Sequence, residues 1–499
     1  MADKTEGAKA LKVARKLKNA DNWKHLARWN GEGYYTLRTE DTGDVAVRLF
    51  LTPKLLKDAE EIIYRQIVNA TRFPGVKLVA ITPDAHYGYG VPVGCVILTD
   101  SQSGAVAMGP VGYDVGCGMV SAKSDVPASS ATYEKKLAFN SAVMEKVNMG
   151  AGGKSVRLGR LGRSEFYNLV RGGAEYYVEK YGAAFDRSRA ERHRMPVDDD
   201  WEPPLGGKGK PERGMEQLGS LGGGNHFIEL QRCEETGTLF VQAHTGSRGW
   251  GHGLATNYFE LARAEKPDLI TDIDLGYFTP ESSHYRDYLN AVASGGNFAI
   301  INRLIIFEQV AEAFREVFKA ELELIYEISH NLVQKESHPE FGEVWVHRKG
   351  ATRAFPSGHA ALKGTLWEET GHPVLIPGSN KDWSYILRPR AGSANSGFSV
   401  NHGAGRRMSR GEASRSLNQK QMDREYAEAG VLVNTDGRVP LDEAAPCYKS
   451  SEEVIDAVVN AGLATVEYRL WPLASLKSPD ERKSRKAKRP GRQKSGRHY

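Results

Sequence analysis

The chain has 499 residues, 40% of them hydrophobic, and a formal net charge of +5, enough apolar material for a core and too much for wholesale disorder. Its four cysteines, Cys95, Cys117, Cys233 and Cys447, are too few and too scattered for a disulfide framework, so a reducing, cytoplasmic setting is expected. The Met-Ala-Asp-Lys-Thr-Glu start lacks the apolar core of a secretory signal, and no stretch reaches the ~18 uninterrupted apolar residues of a membrane span.

In chain order, residues 4–29 read as a basic amphipathic helix or lead-in. Between 56 and 71, Ile62, Ile63, Ile67 and Val68 recur at helical spacing. Short β-branched runs at 76–82, 91–98 and 105–108, separated by Gly and Pro, read as buried strands joined by tight loops. Residues 164–181 are helical by period, and 186–213 is a charged, Pro- and Gly-bearing surface excursion. Strands resume at 227–230 and 238–243. A long helical pattern covers 285–320, with Ile301, Leu304, Ile305 and Val310 on its stripe, and a second helix is expected over 322–328. Strand and Gly-rich loop then alternate until a helix at 452–461.

There is no repeat and no clean linker between 30 and 477. The expectation is therefore one large α+β catalytic domain over 30–477, a basic lead-in over 1–29 and a basic, disordered tail over 478–499. Residues 482–497 hold nine Lys or Arg and no acid. Such a run reads either as a solvated end or as an arm drawn to phosphate backbones by counterion release.

Glycine repeatedly flanks ligand-type residues, where it lets backbone approach a bound group closely. Gly112-Tyr-Asp114-Val-Gly-Cys117-Gly118 sets a carboxylate and a thiol three residues apart. Gly222-Gly-Gly-Asn225-His226 places an imidazole before an apolar run, and Val241-Gln-Ala-His244-Thr-Gly-Ser-Arg248 puts another at a strand end. His330-Asn331 closes the 322–328 segment. Each residue alone has a bland explanation, as an inert buried Cys or a satisfied core His. Together, Asp114, Cys117, His226, His244 and His330 form a mixed O, N, S ligand set, and softness alone favours zinc or ferrous iron.

Three later segments suit phosphate: Val346-His-Arg-Lys349-Gly-Ala-Thr-Arg353, Pro377-Gly-Ser379-Asn380-Lys-Asp-Trp-Ser384, and Asn401-His402-Gly403-Ala404-Gly405-Arg406-Arg-Met-Ser-Arg410. The bland alternative is surface loops with solvated arginines. A neutral imidazole such as His402 is a competent nucleophile at phosphorus. Neither a P-loop nor a strand-linked G-x-G-x-x-G occurs, so any nucleotide needs another kind of pocket.

The ordered set, running from Asp84-Ala-His-Tyr-Gly-Tyr-Gly-Val-Pro-Val-Gly to Lys477, resembles the RtcB family of GTP-dependent 3′-phosphate/5′-hydroxyl RNA ligases. Its Asp-x-x-Cys-Gly, Gly-Gly-Asn-His-Phe, Gly-Ser-Arg-Gly, His-Arg-Lys-Gly-Ala-Thr-Arg and His-Gly-Ala-Gly-Arg motifs appear in the family's order. The resemblance implies a compact α+β fold with a deep metal cleft. It implies two Mn²⁺, one held by Asp114 and His226, the other by His244 and His330, with Cys117 bridging. By the same resemblance His402 takes GMP from GTP. Asn225, Glu229, His330, Asn331, Pro377, Gly378, Ser379, Asn380, Ser384, Gly403, Ala404, Gly405 and Lys477 match guanylate-pocket positions. Arg248, Lys349 and Arg410 match positions that hold RNA phosphates. Cyclic 2′,3′-phosphate ends would be opened to 3′-phosphates before sealing.

The chain departs from the family at Asn380-Lys-Asp-Trp383, where Met-Gly-Thr or similar is usual, and it continues beyond Lys477. Both changes suit a divergent paralogue. RNA is the expected partner, membrane is not, a monomer is expected, and an accessory activator is open. The alternatives are a nucleotidyltransferase that caps 3′-phosphate ends without sealing them, a metal-dependent phosphodiesterase, and a non-enzymatic RNA-binding scaffold.

Overall fold

The helix Tyr285–Phe318 is buried around nearly its whole circumference from Asn290 to Val310, as expected for an element enclosed on all sides rather than resting on a surface. It ends where Lys319 turns left-handed, at φ 57°. It packs against the strands Gly118–Pro127, Thr238–Thr245 and Glu323–Ser329, and against the helices Arg163–Tyr181 and Arg248–Glu265. The computed structural model describes residues 17–182, 189 and 195–478. The basic run 482–497 and residues 4–16 of the lead-in lie outside the described residues.

Two large sheets make up the mixed α+β body. One has seven strands, in the order Arg28–Trp29, Tyr35–Thr36, Ala46–Leu49, Val76–His86, Val93–Asp100, Gly342–Lys349, Asn331–His338. The other has eight, running Glu323–Ser329, Gly118–Pro127, Thr238–Thr245, Phe227–Cys233, Ala464–Lys477, Ser384–Pro389, Val374–Ile376, with Leu432–Val433 beside Ala464–Lys477. A small ladder joins Ala351–Arg353 to Ser399–Asn401.

Register places the chemistry. In the eight-stranded sheet Ser329 pairs with Gly118, Gly118 with Thr245, Met119 and Phe227 with His244, and Phe227 with Lys477. Cys117, His226, His244, His330 and Lys477 therefore fall in one transverse row at the end of five neighbouring strands.

The long helix fixes that row from behind. Arg303 donates to the carbonyls of Gly116 (2.6 Å) and Thr245 (3.0 Å) and to Ser329 Oγ (2.6 Å), while pairing with buried Glu327. Asn302 holds Ser220, Thr245 and Gly246 in the same way. Glycine allows the contact: a Cβ on Gly116, which has φ 75°, would come within 2.7 Å of Ala299 Cβ.

Two sequence expectations change. Residues 322–328 are not helix; Glu323–Ser329 is a strand paired with Gly118–Pro127, and all of it except Glu323 is buried. Its one interior charge, Glu327, is met by Arg303, so the Leu/Glu pattern that imitates a helical stripe reflects burial on both faces. Of the lead-in, the described residues form one helical turn, Trp23–Leu26, and then the strand Arg28–Trp29, with Trp23 buried in the core. The helices Tyr133–Lys146 and Arg248–Glu265 carry no expectation from sequence. In the second, glycine masks the period because Gly251 and Gly253 let Ser247 and Pro211 pack closely. No helix among the described residues is long and apolar enough to cross a membrane.

Candidate metal and nucleotide site

Side chains from the transverse row converge on two overlapping triads, Asp114–Cys117–His226 and Cys117–His244–His330, each with its donor atoms within 4.8 Å of one another. Cys117 belongs to both. Its Sγ lies 3.2 Å from His244 Nε2 and 3.5 Å from His226 Nε2. His226 Nε2 is 3.0 Å from Asp114 Oδ2, and His244 Nε2 is 3.3 Å from His330 Nε2.

The outer atoms are already engaged. His226 Nδ1 lies 2.9 Å from the Leu221 carbonyl and His244 Nδ1 3.2 Å from that of Asn225, so each Nδ1 can donate outward and leave its Nε2 to face a cation. The Ser247 amide donates to Asp114 Oδ1 at 3.1 Å. Burial, reinforced by neighbouring imidazoles, holds His244 and His330 well below the usual histidine range. Burial would raise the Asp114 carboxyl, but its hydrogen bond and charge interaction with His226 outweigh that and lower it. Burial and then the Asp114 charge push the Cys117 thiol well up. Converging lone pairs and an ionised carboxylate fit divalent cations, which would also deprotonate the thiol.

The triads open into a cleft of about 700 Å³. His402 lines it, just beyond the strand Ser399–Asn401. Asp84 fixes this ring: its Oδ2 accepts from His402 Nδ1 at 2.6 Å and from the His402 amide at 3.1 Å. Burial alone would raise the Asp84 carboxyl; the charge and hydrogen bond of His402, with Thr82, bring it below the usual range. An ionised Asp84 keeps the proton on Nδ1, so the free lone pair is on Nε2. The His330 ring centroid lies 4.9 Å from that of His402.

The cleft also gathers Asn225, Glu229, Asn331, Pro377, Gly378, Ser379, Asn380, Gly403, Ala404, Gly405, Lys349, Arg410 and Lys477. Glu229 accepts from Ser475 (3.1 Å) and Gln231 (3.0 Å), and burial pushes it up to about 7. Asn331 bolts the metal loop to the turn after Lys349, donating to the Asp114 carbonyl and accepting from the Gly350 amide. Asn380 is held by Tyr426, whose hydroxyl donates to its Oδ1 at 2.5 Å while accepting from the Ala445 amide. Lys349 Nζ donates to the carbonyls of Tyr89 (2.5 Å) and Val91 (3.1 Å). Arg410 is partly exposed beside buried Glu443, which also faces Arg406 and Lys477.

Three of the expected residues stand outside the cleft wall. His226 sits behind Asp114 and Cys117. Ser384 accepts from Gln231 and the Gly378 amide behind the wall. Arg248, left-handed at φ 53°, donates to Ser220 Oγ and the Gly150 carbonyl. The phosphate-friendly reading of 346–353 narrows to Lys349, since Arg348 is buried in a bidentate pair with Glu336 and Arg353 is half-buried over the Phe355 ring, outside the cleft wall. Sequence reasoning assigned no role to Asp84, His86, Glu443 or Arg303. Asp84 and His86 carried a signal, a carboxylate and an imidazole where a β-branched run meets Tyr-Gly-Tyr-Gly.

The chain matches the family described as tRNA-splicing ligase RtcB over residues 66–478. Among curated relatives, the tRNA-splicing ligase RtcB of Pyrobaculum aerophilum is 34% identical over 467 residues, 87% of this chain and 95% of the relative. That of Thermococcus kodakarensis is 34% identical over 460 residues, 86% and 94% of the two chains. The RNA-splicing ligase RtcB of Mycobacterium tuberculosis is 34% identical over 438 residues, 83% of this chain and all of the relative.

Proposed function

Because the chain belongs to the RtcB family, we propose that it is a GTP- and Mn²⁺-dependent RNA ligase that joins 3′-phosphate or 2′,3′-cyclic phosphate ends to 5′-hydroxyl ends. The observation that carries this reading is the juxtaposition of His402, its Nδ1 held by Asp84, with two ligand triads that share Cys117. Two divalent cations bound there would neutralise phosphate charge and align the displacement.

The residues then have distinct tasks. Asp84 keeps His402 in the tautomer whose Nε2 attacks the α-phosphorus of GTP. A P–N bond forms, the α–β phosphoanhydride breaks, and pyrophosphate leaves. An oxygen of the RNA 3′-phosphate next displaces His402 and takes the GMP. The 5′-hydroxyl of the second end attacks the 3′-phosphorus, loses its proton and expels GMP, leaving a phosphodiester. Glu229, Asn225, Asn331, Lys477, Ser384, the 377–380 turn and the 403–405 loop are proposed to hold the guanylate. Arg248, Lys349 and Arg410 are proposed to meet RNA phosphates.

The experiment is to incubate the full-length protein with Mn²⁺, GTP and two RNA strands, one ending in a 3′-phosphate and the other starting with a 5′-hydroxyl. A joined strand that needs GTP and the 5′-hydroxyl is expected. A guanylated 3′ end with no joined product would move the chain to end capping. Processing of the ends without GTP would move it to a phosphodiesterase.

A further inference from the structure

Of the large hydrophobic side chains exposed among the described residues, Tyr87 (54% exposed) and Tyr89 (63%) are the ones that line the catalytic cleft. They follow Asp84 and His86 in the chain, at the cleft mouth rather than among the guanylate or metal groups. Exposed aromatic rings usually belong to mobile loops. This loop is fixed.

Side chains from neighbouring elements grip its backbone, and Gln66, Asn69 and Lys349 among them are buried. Gln66 bonds both the amide and the carbonyl of Gly88, Asn69 donates to the Gly90 carbonyl at 2.8 Å, and Lys349 holds Tyr89 and Val91. Glu60 accepts from the Tyr87 amide at 3.0 Å. Both alternating glycines are required. A Cβ on Gly88 would meet the Val91 carbonyl oxygen at 2.6 Å, and Gly90 has φ 71° with the Asp274 carbonyl oxygen 2.7 Å from where its Cβ would sit. The Tyr89 ring stands edge-on to Tyr113 with centroids 6.2 Å apart, and Tyr113 hydrogen-bonds Asp274.

The result is a pair of solvent-facing rings on a rigid backbone, beside a cleft whose wall carries Lys349, Arg410 and Lys477. Cations that track phosphates beside aromatic rings are the means by which proteins bind single-stranded nucleic acid, each base stacking on a ring. Holding the rings in advance lowers the ordering cost of binding.

Resting on the ligase reading above, we propose that Tyr87 and Tyr89 form a stacking platform for the unpaired nucleobases next to the RNA ends being joined. The platform is sequence-tolerant, since every base has a π-face, and it prefers single strands, because paired bases are already stacked.

The test is binding of a short single-stranded RNA, with 2-aminopurine beside its terminal nucleotide, to the full-length protein and its variants. Elevated salt minimises the contribution of the basic residues 482–497. The expected result is quenching of 2-aminopurine by the wild type. Tyr87→Ala and Tyr89→Ala should weaken binding roughly 5- to 100-fold with loss of quenching, and Tyr87→Phe and Tyr89→Phe should restore both.

Unaltered binding by both alanine variants, or phenylalanine variants as weak as the alanine ones, would overturn the platform. Equal affinity for a duplex would overturn it too. Thermal melting checks that the variants fold. Sealing by the wild-type protein is scored separately: sealing with unaltered alanine variants removes the platform alone, whereas platform binding without sealing removes the ligase reading alone.

Discussion

Two buried carboxylates near the cleft have opposite fates. Asp84 stays ionised because His402 lies against it, whereas Glu229, whose burial outweighs the opposing charge of Lys477 and the bonds from Ser475 and Gln231, moves from 4.5 to about 7. The raised group binds its proton more tightly in the folded chain, so its contribution to stability is complete below pH 4.5 and declines as pH rises through 7. Relative to Glu229→Gln, the wild type should lose about 3 kcal/mol between those limits, measurable by denaturant unfolding at stepped pH. A flat difference would count against the shifted carboxyl. For Asp84, replacement by Asn keeps a side chain of the same shape but can present an N–H to Nδ1 and reverse the tautomer. Self-guanylylation should slow by at least ~100-fold, read as the initial rate of label incorporation; an unchanged rate would detach Asp84 from the chemistry.

At the scale of elements, the sequence revealed the strands at 76–82, 91–98, 105–108, 227–230 and 238–243 through their apolar, β-branched runs and the long helix through its regular stripe, but not the strand Gly118–Pro127. It concealed what joins them. Asn302 and Arg303 sit inside the Ile301–Leu304–Ile305 stripe, where a period-based reading counts only apolar residues, yet they bind the three segments that carry the ligands. The strand Glu323–Ser329 was hidden for a related reason: Glu327 breaks its apolar run, and the partner that makes this tolerable lies on another element. The residues of the two triads were legible, because glycine near Asp, Cys or His marks close backbone approach. Asp84 was not, because its partner is 318 residues away. Removing one member of the buried pair, as in Glu327→Ala, should cost about 3–5 kcal/mol, whereas joint replacement of Arg303 and Glu327 by apolar residues should cost less. Equal losses in a chemical denaturation series would contradict this account of the pair.

At the scale of the molecule, two sheets and a buried helix bring one row of strand ends to a single cleft, and Cys117 sits where two triads meet. If each triad holds one cation, that placement makes the triad residues unequal in metal loading. Cys117→Ala should deplete both bound cations, and His226→Ala only the one shared with Asp114, by elemental analysis after dialysis. Identical stoichiometry in the two variants would argue against a shared thiolate. The central claim, that His402 carries GMP beside this paired centre, is tested most directly by incubating the metal-loaded protein with α-labelled GTP and separating it under denaturing conditions. The account predicts an acid-labile labelled protein that is absent in His402→Ala; equal labelling of that variant, or no labelling of the metal-loaded wild type, would contradict it.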